Sequence, residues 1–522
     1  MRLRASPLTL ALIYLTYTSV RAKTVAHLEP PEVGDPMDET PALHRLPIEP
    51  WRPARKAQAH EDAYLDRLID GAMQVLERTG VQVLSDRALG IFRQHGVPVD
   101  EERRVVRLPE KLVRDALATA PRTFMLGSRD GSCDIDLASG NTYMTADGCA
   151  TEVIDWRTGV RRASTKEDLA DATRMLDYVS SIGFWWPIVG AGDCGETAQL
   201  HEIDAAWNNT VKHVQMMGQG ERQARYAVEM ATVIAGGTQE LRSRSPLSDL
   251  TFTIAPLTID GEGADAALVF AEAGMPLVLG AGVAYGTTGP ATVAGAVVQS
   301  VAEMLSLVTL IQLAFPGTPV VGYPVTICAD PRTGALASQL DDRGASLDVE
   351  LVHRLGLPSM QATGGTDGEL PGTWTAAADA GASLHMSAWS GSELVVGLGL
   401  TNYDMLWSAE SLILDDELYH HARYSVMEIP IEDEDLALDV IDAVGPGGHF
   451  LGQAHTRKHM KGGFVRGLSE QSSEEGGYRD AVEVARERAI DILEHYVPEP
   501  LDRGDAAELA RILAEADAEL RS

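Results

Sequence analysis

The segment Gly286–Pro324, GTTGPATVAGAVVQSVAEMLSLVTLIQLAFPGTPVVGYP, decides how the rest of the chain is read, because a Gly/Pro loop, an apolar helix and a short strand succeed one another within it. Thr288-Gly289-Pro290 reads as a turn that ends a strand, since glycine tolerates positive φ and proline fixes φ at a helix start. Val293, Val297, Val301 and Met304 then recur every three or four residues, which predicts one apolar helix face. Phe315-Pro316-Gly317 stops that helix. Pro319-Val320-Val321-Gly322-Tyr323 resumes as a continuous apolar run, the pattern of a strand buried on both faces in a parallel sheet. Loop, helix and strand in this order make one unit of a βα architecture.

Outward from this segment the same alternation runs from Lys166, with candidate strands at 183–189, 213–217, 250–254, 276–279, 319–323, 359–363 and 393–398 and an eighth expected near Ser408. Strand counting does not separate a closed barrel from an open doubly wound sheet, but no GxGxxG follows a first strand, which weakens a dinucleotide-binding reading. Upstream, Leu65, Leu68, Ile69, Met73 and Leu76 form a helical stripe closed by Gly80, and two more helices follow. Residues 123–163 alternate apolar and polar around turn signals, predicting a small antiparallel meander that covers one end of the fold. Beyond Leu412 the chain turns helical, and its last two amphipathic helices pack outside or serve assembly, which leaves a homo-oligomer open. The expected organisation is an N-terminal extension over 1–36, an arm and α+β module over 37–165, the α/β body over 166–415 and a helical extension over 416–522.

A chain of 522 residues has ample length for a large core, and its formal charge of −33 argues against nucleic acid, which is bound through Lys and Arg patches. Cys133, Cys149, Cys194 and Cys328 are scattered, with no CxxC spacing, and read as free thiols. Arg2 and Arg4 precede an apolar run from Leu8 to Tyr17, a signal-like pattern too short for a comfortable membrane span. Met37 offers an alternative start. No membrane partner is expected, and the expected location is the cytoplasm, with export left open by this segment.

Several motifs lie in order along the chain: Asp155-Trp156-Arg157-Thr158-Gly159, Ser245-Pro246-Leu247, Arg332-Thr333-Gly334, Gly364-Gly365-Thr366-Asp367, Ser408-Ala409-Glu410 and Gly445-Pro446-Gly447-Gly448-His449-Phe450-Leu451-Gly452. In these the chain resembles the trimethylamine methyltransferase family over roughly residues 60–500. The resemblance implies a TIM (β/α)8 barrel. It also implies transfer of a methyl group from a quaternary or tertiary amine to the cobalt(I) of a corrinoid carried by a partner protein, with no metal bound to this chain. Trimethylamine-specific members use pyrrolysine. None is written here, so the resemblance points to the branch that includes glycine betaine methyltransferase.

Such an enzyme positions its substrate and supplies no nucleophile of its own. A quaternary ammonium has no N–H to donate in a hydrogen bond, so aromatic faces and carboxylates are the suitable groups. Near strand ends or loops the aromatic candidates are Trp185, Trp186, Tyr323, Trp374, Trp389 and Trp407, and Trp186, Tyr323 and Trp374 are carried forward with Asp367, Glu369, Glu410 and His449 as substrate-binding residues. For Asp367 and Glu369 a helix cap with a first-turn acid is the competing reading. After Asp367 the family pattern has Ala-Lys, then an Asp and a Gln, where this chain has Gly368-Glu369, Gly372 and Trp374. This charge reversal predicts a substrate other than glycine betaine, more cationic or less carboxylated. It also leaves a non-catalytic amine-binding or regulatory protein as the competing function. His455 and His459 share a helical spacing, but Thr456-Arg457-Lys458 between them lacks the glutamate of a zincin and disfavours a metal.

Overall fold

Parallel strands alternate with helices from residue 143 to residue 426. In chain order they are β1 (Tyr143–Ala146), α1 (Lys166–Tyr178), β2 (Phe184–Trp185), α2 (Ala198–Asn209), β3 (His213–Met216), α3 (Glu221–Ala235), β4 (Leu247–Phe252), α4 (Gly261–Ala273), β5 (Leu277–Tyr285), α5 (Val293–Ala314), β6 (Val320–Ala329), α6 (Arg343–Arg354), β7 (Met360–Ala362), α7 (Trp374–Ser390), β8 (Leu394–Leu398) and α8 (Ala409–Val426). The computed structural model of the chain describes residues 43–329, 332, 336–337, 343–363, 368, 370–463, 467–468 and 477–520.

Strands β2 to β6 lie side by side in one parallel sheet, and β7, β8 and β1 form a second. Isolated parallel bridges join Met144 of β1 to Ile182 before β2, and Gly322 of β6 to Ser359 before β7. The result is a mixed α/β fold around a curled parallel sheet. Helix starts are set by side chains that take up otherwise unpaired N–H groups. Thr165 and Asp168 form a capping box on α1, while Thr292, Thr373 and Ser408 cap α5, α7 and α8.

Three expectations change. Tyr143–Ala146, expected within an antiparallel meander, pairs parallel with β8. Leu406–Trp407, near the position expected for the eighth strand, instead pairs antiparallel with Leu400–Thr401 and parallel with Glu152–Ile154. Both segments are too short for periodicity to assign, so the partner strand decides. The third change concerns α5, which is buried almost all round from Ala296 to Gln312 rather than on one stripe. It lies between β5 and β6 on one side and the helices Asp62–Gln74 and Glu110–Thr119 on the other. Among the described residues α5 is the helix long and apolar enough to cross a membrane, but 83% of its apolar window is buried inside the protein. Its one acid, Glu303, is buried and hydrogen-bonded by Thr253 Oγ1 (2.6 Å), Leu257 N (2.8 Å) and Gln299 Nε2 (2.8 Å), the arrangement that makes an internal carboxylate tolerable.

Inside the curl, Phe184, Trp186, Leu250, Val278, Val321, Tyr323, Met360, Leu394 and Val396 form one apolar cluster, together with Leu126, Ile135 and Leu137. The last three belong to or flank the hairpin Met125–Leu126/Ile135–Asp136. That hairpin seals the N-terminal ends of the strands: Gly127 N donates to Ser245 O (2.9 Å) ahead of β4, and Arg129 N to Val211 O (2.8 Å) ahead of β3. Arg244 clamps it through Asp134, with Nε 2.6 Å from Oδ2. The C-terminal ends of the strands are left to carry the site.

Candidate functional site

At the C-terminal end of β1 the chain continues into Asp147-Gly148-Cys149, and at that of β8 into the hairpin that joins Leu400–Thr401 to Leu406–Trp407. Asp147 N donates to Leu398 O (3.0 Å), which stitches the two exits together. In the hairpin turn, Asn402, Tyr403 and Asp404 all take positive φ, at 51°, 56° and 60°. Consecutive left-handed residues match the twist of a tight hairpin, and Asn and Asp tolerate that region better than most side chains. The turn brings the Asp404 carboxyl into hydrogen-bonding contact with that of Asp147.

Burial pushes the Asp147 carboxyl well above the usual carboxylate range, and the neighbouring Asp404 charge pushes it further, against one hydrogen bond from Gly148 N at 2.9 Å. Burial raises Asp404 as well. Below them Asp415 of α8, which accepts from Gly399 N at 2.8 Å, is lifted by burial to about 7. Cys149 is accessible to water, yet burial raises its thiol well above the ordinary value, with Glu202 and Asp147 adding to the effect. A group open to water but surrounded by protein lines a recess. Glu202 of α2, pushed by burial to about 7, accepts from Ala191 N at 3.2 Å on the next exit loop.

Aromatic rings meet these acids. Tyr323 of β6 is buried, and its hydroxyl is raised well above the ordinary value by burial and then by the Asp147 and Asp404 charges. Phe252 of β4 sits edge-on to it, with centroids 5.4 Å apart. Trp186 follows β2 and packs on Gly148 so closely that a Cβ there would come within 2.0 Å of the indole nitrogen. Any side chain at Gly148 would displace that ring. Paired carboxyls beside aromatic faces suit a compact organic cation.

A family model described as trimethylamine methyltransferase (MTTB) matches residues 39–520. The chain belongs to the trimethylamine methyltransferase family. It is 32% identical to the trimethylamine methyltransferase MttB of Desulfitobacterium hafniense strain DCB-2, covering 88% of this chain and 94% of that protein. Identity to MttB1 of Methanosarcina acetivorans is 28%, over 86% and 93%, and to the glycine betaine methyltransferase of Desulfitobacterium hafniense strain Y51 it is 27%, over 87% and 96%. A solved structure, the Methanosarcina barkeri monomethylamine methyltransferase MtmB, aligns over 90% of this chain and 96% of its own at 10% identity and a TM-score of 0.42. The chain is a methyltransferase of the trimethylamine and glycine betaine type.

Of the residues singled out from the sequence of this methyltransferase, Trp186 and Tyr323 lie together in the interior cluster. Asp367 and Glu369 lie outside the described residues. Trp374 is the first residue of α7 and is 87% exposed. Glu410 is buried in the first turn of α8, where its carboxylate lies 3.6 Å from Arg486 of the C-terminal helix Ala481–His495. His449 is exposed in the loop between the helices Leu438–Val444 and Ala454–Gly463. His455 and His459 stack at 4.2 Å on the latter helix, with His459 Nε2 3.3 Å from Glu434. Sequence reading missed Asp147, Cys149 and Asp404. Asp147-Gly148 looks like turn chemistry, and the only signal at Asp404 is a short polar turn, Asn402-Tyr403-Asp404, between Leu400-Thr401 and Leu406-Trp407. Among the described residues no group of three or more His, Cys, Asp or Glu is arranged to hold a metal ion.

Proposed function

We propose that this methyltransferase takes a methyl group from a quaternary or tertiary amine, with quaternary amines preferred over trimethylamine, and passes it to the cobalt(I) of a corrinoid held on a partner protein. We read the eight strands as a closed (β/α)8 barrel, a reading supported by the two parallel bridges between the sheets. In such a barrel the strand C-termini carry the chemistry. The observation that carries the functional reading is the recess at that end, where Asp147 and Asp404 meet beside Tyr323.

The corrinoid supplies the nucleophile that accepts the methyl group. The chain's own residues do the rest. Tyr323, Phe252 and Trp186 offer faces to the N-methyl groups, each such contact worth about 0.5–2 kcal/mol according to how dry the site is. Asp147 and Asp404 balance the positive charge, and Asp367 and Glu369, which follow β7 in the sequence, are further candidates for substrate binding. With a neutral amine as leaving group no general acid is required, so positioning and exclusion of water are the whole task. The rim also leaves space: a Cβ at Gly195 or Gly286 would meet nothing within 4 Å.

The test mixes the full chain with free cob(I)alamin and, separately, choline, carnitine, betaines and trimethylamine, and follows methylcobalamin by absorbance. Turnover of a quaternary amine is the expected result. Tight binding of one of them with no methyl transfer to either free cob(I)alamin or a corrinoid protein would make the chain a binding protein.

A further inference from the structure

Asp147 leaves β1 and Asp404 leaves β8, and they meet although neither strand end requires it. Two carboxylates in contact cannot both be ionised without a counter-charge, so the empty pair holds one proton and one negative charge. Three consecutive non-glycine residues with positive φ hold Asp404 in this contact. Its Oδ1 is buried and has no hydrogen-bond partner among the described residues. A buried acceptor left without a donor costs roughly 1–3 kcal/mol and calls for a partner beyond the described residues, such as a ligand. Among the described residues, the titratable groups that face the pair are Asp415 from α8, Tyr323 from β6 and Cys149 beyond β1, with Glu202 of α2 behind the cysteine, and none of these is a cation.

Resting on the amine reading above, we propose that Asp147 and Asp404 together form the counter-ion for the substrate's ammonium group, and that the cation enters in exchange for the single proton the two carboxyls share. The exchange balances: an empty site of charge −1 becomes two carboxylates and one cation, again −1, and one proton goes to solvent. Substrate class follows from the same arithmetic. A zwitterion brings its own carboxylate against a pair that is already fully ionised, so a choline-type cation is preferred to a betaine.

Calorimetric titration of the full chain near neutral pH, in buffers of low and high ionisation enthalpy, reads the exchange directly. Choline and tetramethylammonium are expected to release close to one proton per cation bound, and the neutral isostere 3,3-dimethylbutan-1-ol none. Choline is expected to bind about tenfold more tightly than glycine betaine, the equivalent of one pKa unit of interaction. Asp404→Asn is expected to abolish proton release and to weaken choline about tenfold. Should that variant not fold, the infrared carbonyl band of the protonated acid in the unaltered chain must vanish when choline saturates it. Choline binding without proton release, a carbonyl band that persists, or glycine betaine binding more tightly than choline would each overturn the proposal. So would an absence of choline and tetramethylammonium binding. If another amine still methylates cob(I)alamin in that case, the methyltransferase reading survives and only the ion exchange fails.

Discussion

The two ends of β8 carry acids in opposite condition. Glu393, just before the strand, is mostly buried, yet it is held down to about 2: burial would raise it, but His353 at 2.9 Å, Lys56 at 3.4 Å and the Ser359 N–H at 2.8 Å outweigh that. Asp404, just beyond the other end, is raised by burial, and the group acting on its carboxyl is a second acid. One strand thus joins an acid whose charge the protein has already compensated to one whose compensation must come from elsewhere. The comparison separates a structural carboxylate from one kept in readiness for a ligand, more clearly than burial alone would.

Removing the compensated charge has the largest effect. Glu393→Gln leaves His353 and Lys56 without their carboxylate and is expected to cost about 3 kcal/mol in urea unfolding at neutral pH. The pH dependence of this group has a definite sign. Its folded pKa is depressed, so the stability it contributes is present above about 4.5 and is lost as pH falls toward about 2. A variant no less stable than the parent at pH 7 would remove the distinction between the two ends. The acids at the C-terminal end behave oppositely. Asp415, raised to about 7, favours the folded state fully only below about 3.8, and that contribution disappears as pH rises to about 7. Asp415→Asn keeps an acceptor for Gly399 N without the charge, so it is expected to gain about 1–2 kcal/mol at pH 8, on the scale of about 1.4 kcal/mol per pKa unit, and little at pH 4. Equal effects at both pH values would mean that Asp415 is ionised throughout.

The contrast also explains what the sequence revealed. Strands such as Leu277–Tyr285 and Val320–Ala329 are legible because a strand buried on both faces needs a continuous apolar run, and family motifs spread along the chain point to the methyltransferase. Trp186 and Tyr323 are visible as large aromatics at strand ends, and the structure brings them into one cluster. Asp147 and Asp404 are not legible, because each sits in an ordinary turn and their contact exists only once β1 pairs with β8. That pairing rests on a four-residue strand inside a turn-rich stretch, where local pattern carries almost no information about the partner. Glu410 shows the converse. Its place after the last strand suggests the pocket, but it lies beside Arg486, on a C-terminal helix whose docking no local pattern encodes.

The smallest effect is expected at Trp374, on the mouth side of the fold. Its helix follows β7, so the ring stands at the same end of the sheet as Asp404, but it is 87% exposed where Trp186 is buried. A ring surrounded by water loses almost no buried area on truncation, so Trp374→Ala is expected to shift stability by less than about 0.5 kcal/mol. For the same reason it should leave choline affinity nearly unchanged, because a cation–π contact gains most of its strength from desolvation. Parallel urea unfolding and choline titration of this variant and of Trp186→Phe measure both quantities. A loss of choline affinity of about 1 kcal/mol or more in Trp374→Ala, with unaltered stability, would mean that the ring folds over the bound cation, since only a closed ring gives a contact of that size. The mouth of β7 and β8 would then close around its ligand, and the asymmetry between the two ends of the sheet would be one of motion as well as of charge.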